Sequence, residues 1–500
     1  MSHLTIDVTT MGFRIAVNKV GDIKGTKVNI VPFSKQFQNK QYDRVDGVWY
    51  VVNEFFYYDS ENEIVYFPRF SLDEFKTFLN MNGVTYSIKE IPSIEGKDET
   101  FFMLPFVEYK NDRQKNAIAY LTNENTGPVR GLALQTGYGK TIAAIWAIQK
   151  LGKRCIITMT SRLEQWVKEL IKYTTLEEND IYVIQGLGSL TKLFKQIDDG
   201  IKPKIILAST ATMRLYIEYR PSYQHLPHPS EMCEKLGIGI IGTDEYHEHF
   251  HTNFLIGLMF NPKVFIPITA TFSASDPFVK NIFDKFIPND LQFVGGEYDR
   301  FVNVTAYTYR GGGHLIKPYQ YTSRQGYSQQ MFEKFLMSKK GKFVLDPVVQ
   351  DAIIPIIRDH YINLAEDGEK LLVLCSSTKL CDHLEAVFKR DFTHKTVSVF
   401  YSGRPSTILE KFDIIISTPG SAGTGTDIKN LRTCFVFENT NSEIRNLQFI
   451  GRLRPYPAVK NTPEFVYLSF SCIPQHQKYH NARSMLFGQR ALSMKHRSIS

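Results

Sequence analysis

The residues with the plainest chemistry are Gln135-Thr136-Gly137-Tyr138-Gly139-Lys140-Thr141, set between an apolar run (131–134) and a helical pattern (142–150). Glycines at such a turn let backbone N–H groups converge on phosphate oxygens, and the following helix N-terminus adds free donors and a favourable dipole. Lys140 is placed to reach β- and γ-phosphates and the Thr141 hydroxyl to ligate Mg²⁺. Thr136, Gly137 and Gly139 form the cradle. The first glycine of the full G-x-x-x-x-G-K-[ST] pattern is replaced by Leu134. A second constellation, Ile238-Gly239-Ile240-Ile241-Gly242-Thr243-Asp244-Glu245-Tyr246-His247, is an apolar strand ending in two adjacent carboxylates. Asp244 is expected to hold Mg²⁺ and Glu245 to orient and deprotonate an attacking water. His247 is expected to link nucleotide state to the neighbouring strand. The competing reading makes His247, His249 and His251 a metal cluster, but their spacing fits neither one helix face nor a compact ligand set.

Elements that could position these groups follow from hydrophobic patterning. Between 109 and 290, apolar runs at Gly131–Leu134, Arg154–Thr158, Lys204–Ala208, Gly239–Gly242 and Lys263–Thr269 alternate with helical patterns such as Thr141–Lys150 and Leu163–Ile171. Strand and helix alternating over this length indicate a parallel α/β domain. A second such series begins near 350, with strands expected at Leu371–Cys375, Thr396–Phe400, Asp413–Ser417, Thr433–Glu438 and Glu464–Phe470. Residues 1–100 read instead as a small α+β module, in which Trp49 is expected in the core and Ser71 caps a short helix. The polar stretch 93–100 is its expected linker. Residues 301–349 read as a linker or insert, and 473–500 as a helix or basic tail.

The bulk numbers are compatible with this plan. The chain has 500 residues, 43% hydrophobic and 22% charged, with 59 Lys or Arg against 51 Asp or Glu. About three domains fit that length, and the formal charge of +8 permits a polyanionic partner without requiring one. The 6 cysteines are scattered and read as reduced packing residues. No run of 18 apolar residues occurs. A soluble, cytoplasmic protein is expected (host cytoplasm if the source is viral).

Together the two constellations resemble a superfamily 2 DExH-box helicase, with Asp244-Glu245-Tyr246-His247 as the namesake box. Further segments match that family's motifs in order between about 110 and 470. Arg113-Gln114 resembles the motif that reads adenine. Thr160-Ser161-Arg162 and Ser209-Thr210 resemble segments that touch the tracked strand, and Thr269-Ala270-Thr271 resembles the coupling motif. Ser376-Ser377 and Ser402-Gly403 resemble backbone contacts of a second domain, and Ser417-Thr418 followed by Gly423–Asp427, with Gly425 and Asp427, the motif bridging nucleotide and polymer. Gln448 through Arg454 resembles the arginine-finger motif. The family usually places its second arginine three residues after the first. Here Pro455 stands at that position and Arg454 precedes it, so Arg452 and Arg454 are both candidates for the γ-phosphate.

The resemblance implies two tandem RecA-like P-loop domains, 101–300 and 350–500, clamping ATP and Mg²⁺. Catalysis falls to Lys140, Asp244, Glu245, Gln448, Arg452 and Arg454. The compact size and the segment Gln41–Trp49 resemble phage branch-migration helicases. That resemblance implies an N-terminal DNA-binding module (1–100) using Lys35 and Arg44. The expected activity is ATP-dependent remodelling of branched DNA, with recombination, repair or replication proteins as partners. The alternatives are an RNA helicase or a duplex translocase without strand separation and, remotely, an ATP-switched nucleic-acid clamp.

Overall fold

The computed structural model describes residues 3–43, 46–134, 138–160, 163–219, 225–274, 276–296, 299–323, 326–401, 403–405, 407–423, 428–454 and 461–500. The chain divides into two units, Met1–Gly296 and Glu297–Ser500. Each holds a seven-stranded sheet whose neighbouring strands are all parallel. With a smaller N-terminal α+β domain, this is the expected architecture of two tandem RecA-like domains.

In the first unit the strands lie in the order Ile181–Ile184, Ile205–Ser209, Cys155–Met159, Ile240–Thr243, Val264–Thr269, Gly131–Ala133 and Gln292–Val294. Their residues are β-branched and apolar almost throughout, as a sheet covered by helices on both faces requires. The carboxyl ends of these strands therefore form one edge. Ser209, Thr160, Asp244, Thr269 and Leu134 follow one another along it. Such an edge is where open α/β sheets bind ligands.

The N-terminal domain is a five-stranded sheet in the order Tyr57–Asp59, Ile64–Pro68, Gly12–Ala16, His3–Val8 and Thr85–Glu90. It packs against the helix Phe250–Met259, which follows the DExH sequence and is buried at nearly every position. The expected linker is pinned rather than free: the backbone N–H groups of Ile94, Lys97 and Glu99 donate to the carbonyls of Asn261, Gly237 and Gly152 at 2.8, 2.9 and 2.9 Å. The strands Gln38–Asp43 and Val48–Glu54 pair only with each other among the described residues. Trp49, expected in the core, is 67% exposed and lies against Tyr42 with ring centroids 5.4 Å apart. Its alternating neighbours are exposed on both faces, so β-rich sequence here marks a projecting ribbon rather than a core strand.

The second sheet has the order Val397–Phe400, Ile414–Ser417, Lys370–Leu374, Leu431–Val436, Glu464–Phe470, Asn303–Tyr309 and Ser493–Ile499. Two of these strands come from outside the expected series. Asn303–Tyr309 lies in the segment read as a linker, and Ser493–Ile499 lies in the expected basic tail, where it forms an edge strand. Charged residues at an exposed edge are a common protection against further pairing.

Gly12 reports how closely the N-terminal sheet meets the first unit's sheet domain. A Cβ there would lie 2.8 Å from Leu258 Cδ1 and 3.0 Å from the Leu258 carbonyl. Gly12→Val should therefore destabilise the chain by about 1–3 kcal/mol through overpacking, read as a lowered unfolding midpoint in urea.

Candidate nucleotide site

The helix Lys140–Leu151 begins at Gly139, whose φ of 78° lies in the left-handed region. A Cβ at this position would also come within 2.4 Å of Gln114 Nε2. Both constraints demand glycine. Gln114 is buried in the helix Asp112–Thr122; its Nε2 donates to the Gly139 carbonyl at 3.2 Å and its Oε1 accepts from the Lys110 N–H at 2.7 Å. Gln114 thereby ties the segment expected to meet adenine to the backbone expected to meet phosphate. Arg113 places its guanidinium 5.4 Å from the Tyr138 ring centroid.

Lys140 Nζ lies 3.3 Å from Glu245 Oε1, with both side chains about nine-tenths buried (10% and 13% exposed). Glu245 adopts φ 49°, a left-handed conformation that costs a non-glycine residue about 1–3 kcal/mol. Asp244 supports it, because Asp244 Oδ1 accepts the Glu245 N–H at 3.0 Å. Asp244 Oδ2 accepts from the indole N–H of Trp166, also at 3.0 Å. His247 Nδ1 and Thr269 Oγ1 are 2.7 Å apart, and Thr269 Oγ1 accepts the Thr271 N–H at 3.1 Å. Burial holds the His247 imidazolium disfavoured, lowering its pKa against the opposing pull of Glu245 and Glu248. His247 thus joins the strand carrying the carboxylates to the neighbouring strand through Thr269. The three histidines part company: His247 turns to Thr269, His251 Nε2 meets the Glu54 carbonyl at 2.9 Å, and His249 caps the next helix at φ 50°.

The donor set fits a nucleotide with magnesium. Asp244 and Thr141 offer hard oxygens, and Mg²⁺ completes its shell with waters and phosphate oxygens. Lys140 supplies the cation at a helix N-terminus, where anions are favoured. Thr136 and Gly137 lie outside the described residues, as do Arg44, Ser161, Arg162, Ser402, Gly425 and Asp427.

The expected polymer-contacting residues divide by exposure. Lys35, Thr160 and Gly403 are exposed, and Ser209 and Thr418 half-buried, whereas Thr210 and Ser417 are buried. Ser209 caps the helix Thr210–Glu218, and Thr418 Oγ1 donates to Ser421 Oγ at 3.1 Å. Ser417 Oγ donates to the Phe400 carbonyl. Gln448 and Arg452 sit together at the end of the helix Glu443–Ile450, where Arg452 Nε donates to the Gln448 carbonyl at 3.3 Å; Arg454 is half-buried just beyond it.

Ser376 and Ser377 have a partner that sequence reasoning missed. The buried Glu333, on the helix Gln329–Leu336, accepts the Ser376 N–H at 2.9 Å and the Ser377 N–H at 2.7 Å. Ser376 Oγ donates to Glu438 at 2.8 Å. A protein carboxylate therefore occupies the helix-start donors that the resemblance assigns to a nucleic-acid phosphate. Trp166 closes the segment Thr160–Trp166 that the resemblance assigns to the tracked strand, but its bond to Asp244 was not expected.

A scan against protein-family models finds no match, and neither does a search of curated proteins. Among solved structures the chain is similar to a Dbp5 variant from S. cerevisiae bound to a Gle1 variant and IP6. Identity is 15% and the TM-score 0.45, over 77% of this chain and 88% of that one. The fold is that of two tandem RecA-like domains. At this identity the likeness concerns the fold alone. The expectation of a phage-type enzyme for DNA branch migration, recombination and repair, with junction DNA as partner, is corrected here. The structure matched is Dbp5 with Gle1 and IP6 as its partners, not an enzyme on a DNA junction. Among the described residues no helix is long and apolar enough to cross a membrane.

Glu333 also gives the second unit a pH signature. Burial raises its pKa to about 7 from 4.5, against the lowering by its hydrogen-bond donors. Between these values the folded chain holds a proton that the unfolded chain has lost. Stability conferred by this group therefore falls as pH rises through that window and levels off above it. Thermal midpoints compared from pH 4.5 to 8 should show this slope in the wild type and a flatter profile in Glu333→Gln.

Proposed function

We propose that this chain is an ATP-hydrolysing motor of the helicase type, stimulated by a nucleic acid that is either RNA or a duplex tracked without strand separation. The observation that carries the reading is the buried pairing of Lys140 with Glu245, beside Asp244 and joined through His247 to Thr269. A lysine at a phosphate-binding helix start has little reason to meet a carboxylate pair two strands away unless both serve one ligand. Lys140 binds the terminal phosphates, Thr141 and Asp244 hold the magnesium, and Glu245 takes the proton of the attacking water. Held by Thr141 and Asp244, the metal would supply positive charge against the negative charge that develops on the phosphates. The pairing with Lys140 keeps Glu245 oriented until phosphate claims the lysine. Gln114 and Arg113 hold the base-binding segment. By the resemblance alone, Gln448, Arg452 and Arg454 of the second unit are assigned to catalysis.

The polymer contacts fit phosphate recognition without base readout, since short hydroxyl-bearing turns position a backbone but carry no sequence information. Thr160 and Ser209 in the first unit and Gly403 and Thr418 in the second are assigned this role, with Lys35 in the N-terminal domain.

Steady-state ATP hydrolysis tests the reading, using wild type and Lys140→Ala with single-stranded RNA, duplex RNA, duplex DNA, single-stranded DNA and no polymer. RNA or a duplex should stimulate the wild type, and Lys140→Ala should lose about 100-fold or more. A wild type indifferent to every polymer contradicts the motor, and stimulation by single-stranded DNA alone contradicts the assigned track.

A further inference from the structure

We propose that Trp166 is the positioning residue for the magnesium carboxylate Asp244, and that it ties this carboxylate to the polymer-contacting segment that begins at Thr160. The inference rests on the proposed nucleotide chemistry and goes beyond it by naming a residue that touches neither nucleotide nor metal. Trp166 lies in the first turn and a half of the helix Leu163–Tyr173, at the end of that segment, and is 1% exposed. Its indole N–H donates to Asp244 Oδ2 at 3.0 Å, and Asp244 is itself 5% exposed.

The remaining bonds show why this donor matters. Asp244 Oδ1 is engaged by the Glu245 N–H, and the Asp244 N–H donates to the Thr158 carbonyl at 2.8 Å. Thr158 and Thr243 join their hydroxyls at 3.1 Å across the same two strands. The backbone of Asp244 is thus anchored by the strand Cys155–Met159, and the carboxylate plane by one donor on each oxygen. Among the described residues the indole is the donor to this carboxylate that arrives from a helix. An indole N–H donates and cannot accept, so Trp166 can neither take a proton from water nor displace the carboxylate from the metal. It can only hold Oδ2, leaving each oxygen its second lone pair for magnesium or a magnesium-bound water. A shift of the helix start caused by a polymer at Thr160 moves this donor directly.

The test uses the full chain and Trp166→Phe, which keeps an aromatic ring and removes the N–H. Binding of a fluorescent ATP analogue is titrated with Mg²⁺ and repeated in EDTA, alongside thermal unfolding. The half-saturating Mg²⁺ concentration should rise about 10–100-fold, as for other groups that orient metal ligands, while affinity in EDTA stays unchanged. Stimulation of hydrolysis by the polymer should shrink at saturating Mg²⁺. An unchanged Mg²⁺ dependence overturns the proposal, as does a loss of binding equal with and without Mg²⁺, which marks a purely structural tryptophan. If Trp166→Phe does not fold, the indole ¹⁵N–¹H resonances of the wild type serve instead, assigned with Trp49→Phe and Trp146→Phe. The Trp166 resonance should move with Mg²⁺ and nucleotide together but not with nucleotide in EDTA; a resonance indifferent to Mg²⁺ overturns the proposal. These binding readouts need no turnover, so a chain that binds Mg²⁺–nucleotide but ignores every polymer sinks the proposed motor and leaves this test standing.

Discussion

The interaction on which the first unit depends is the buried contact between Lys140 and Glu245. Two charges withdrawn from water at the edge of a parallel sheet are tolerable only while each compensates the other, and removing one partner from such a pair costs about 3–5 kcal/mol. The surrounding structure is arranged around that requirement. Gly139 lets the lysine-bearing helix begin where it does, and Gln114 fastens the same carbonyl. Glu245 accepts a left-handed backbone to present its carboxylate, with Asp244 capping its N–H. A conformation held against its local preference in this way is found where a site needs it.

The sheet explains why these groups meet. Parallel strands all point their carboxyl ends to one edge, so residues far apart in sequence converge once the strand order is set. Asp244 follows the strand next to Val264–Thr269, which makes the His247–Thr269 contact a consequence of strand adjacency. Trp166 reaches Asp244 for the same reason, since its helix leaves the strand on the other side. The second unit repeats the architecture with a different polar interior. Gln329 donates to Glu333, and Glu333 and Glu438 accept from Ser376 just before the helix Thr378–Asp391.

Much of this was legible in the sequence, for physical reasons. Central parallel strands are continuous apolar runs, and those at Cys155–Met159, Ile240–Thr243 and Ile414–Ser417 stand within a residue or so of their expected positions. Glycine, lysine and paired carboxylates at strand ends carry their chemistry in their types. Edge strands were less visible. Ser493–Ile499 carries Lys495, His496 and Arg497 in succession and looks like a tail, and Ile181–Ile184 was not among the expected strands. Trp49 misled because aromatic β-sequence normally signals burial, yet its ribbon has no sheet to join among the described residues. Glu333 gave no signal, because a glutamate on a charged helix reads as solvated until the fold buries it. The helix-start serines suggested a phosphate, and only the structure shows a carboxylate there.

The most direct test of the account is a crystal structure of the chain with Mg²⁺ and a non-hydrolysable ATP analogue. The account predicts Lys140 Nζ on the β- and γ-phosphates and parted from Glu245, with magnesium held by Thr141 and Asp244. Nucleotide bound elsewhere, or Lys140 still paired with Glu245 beside a bound nucleotide, would contradict it.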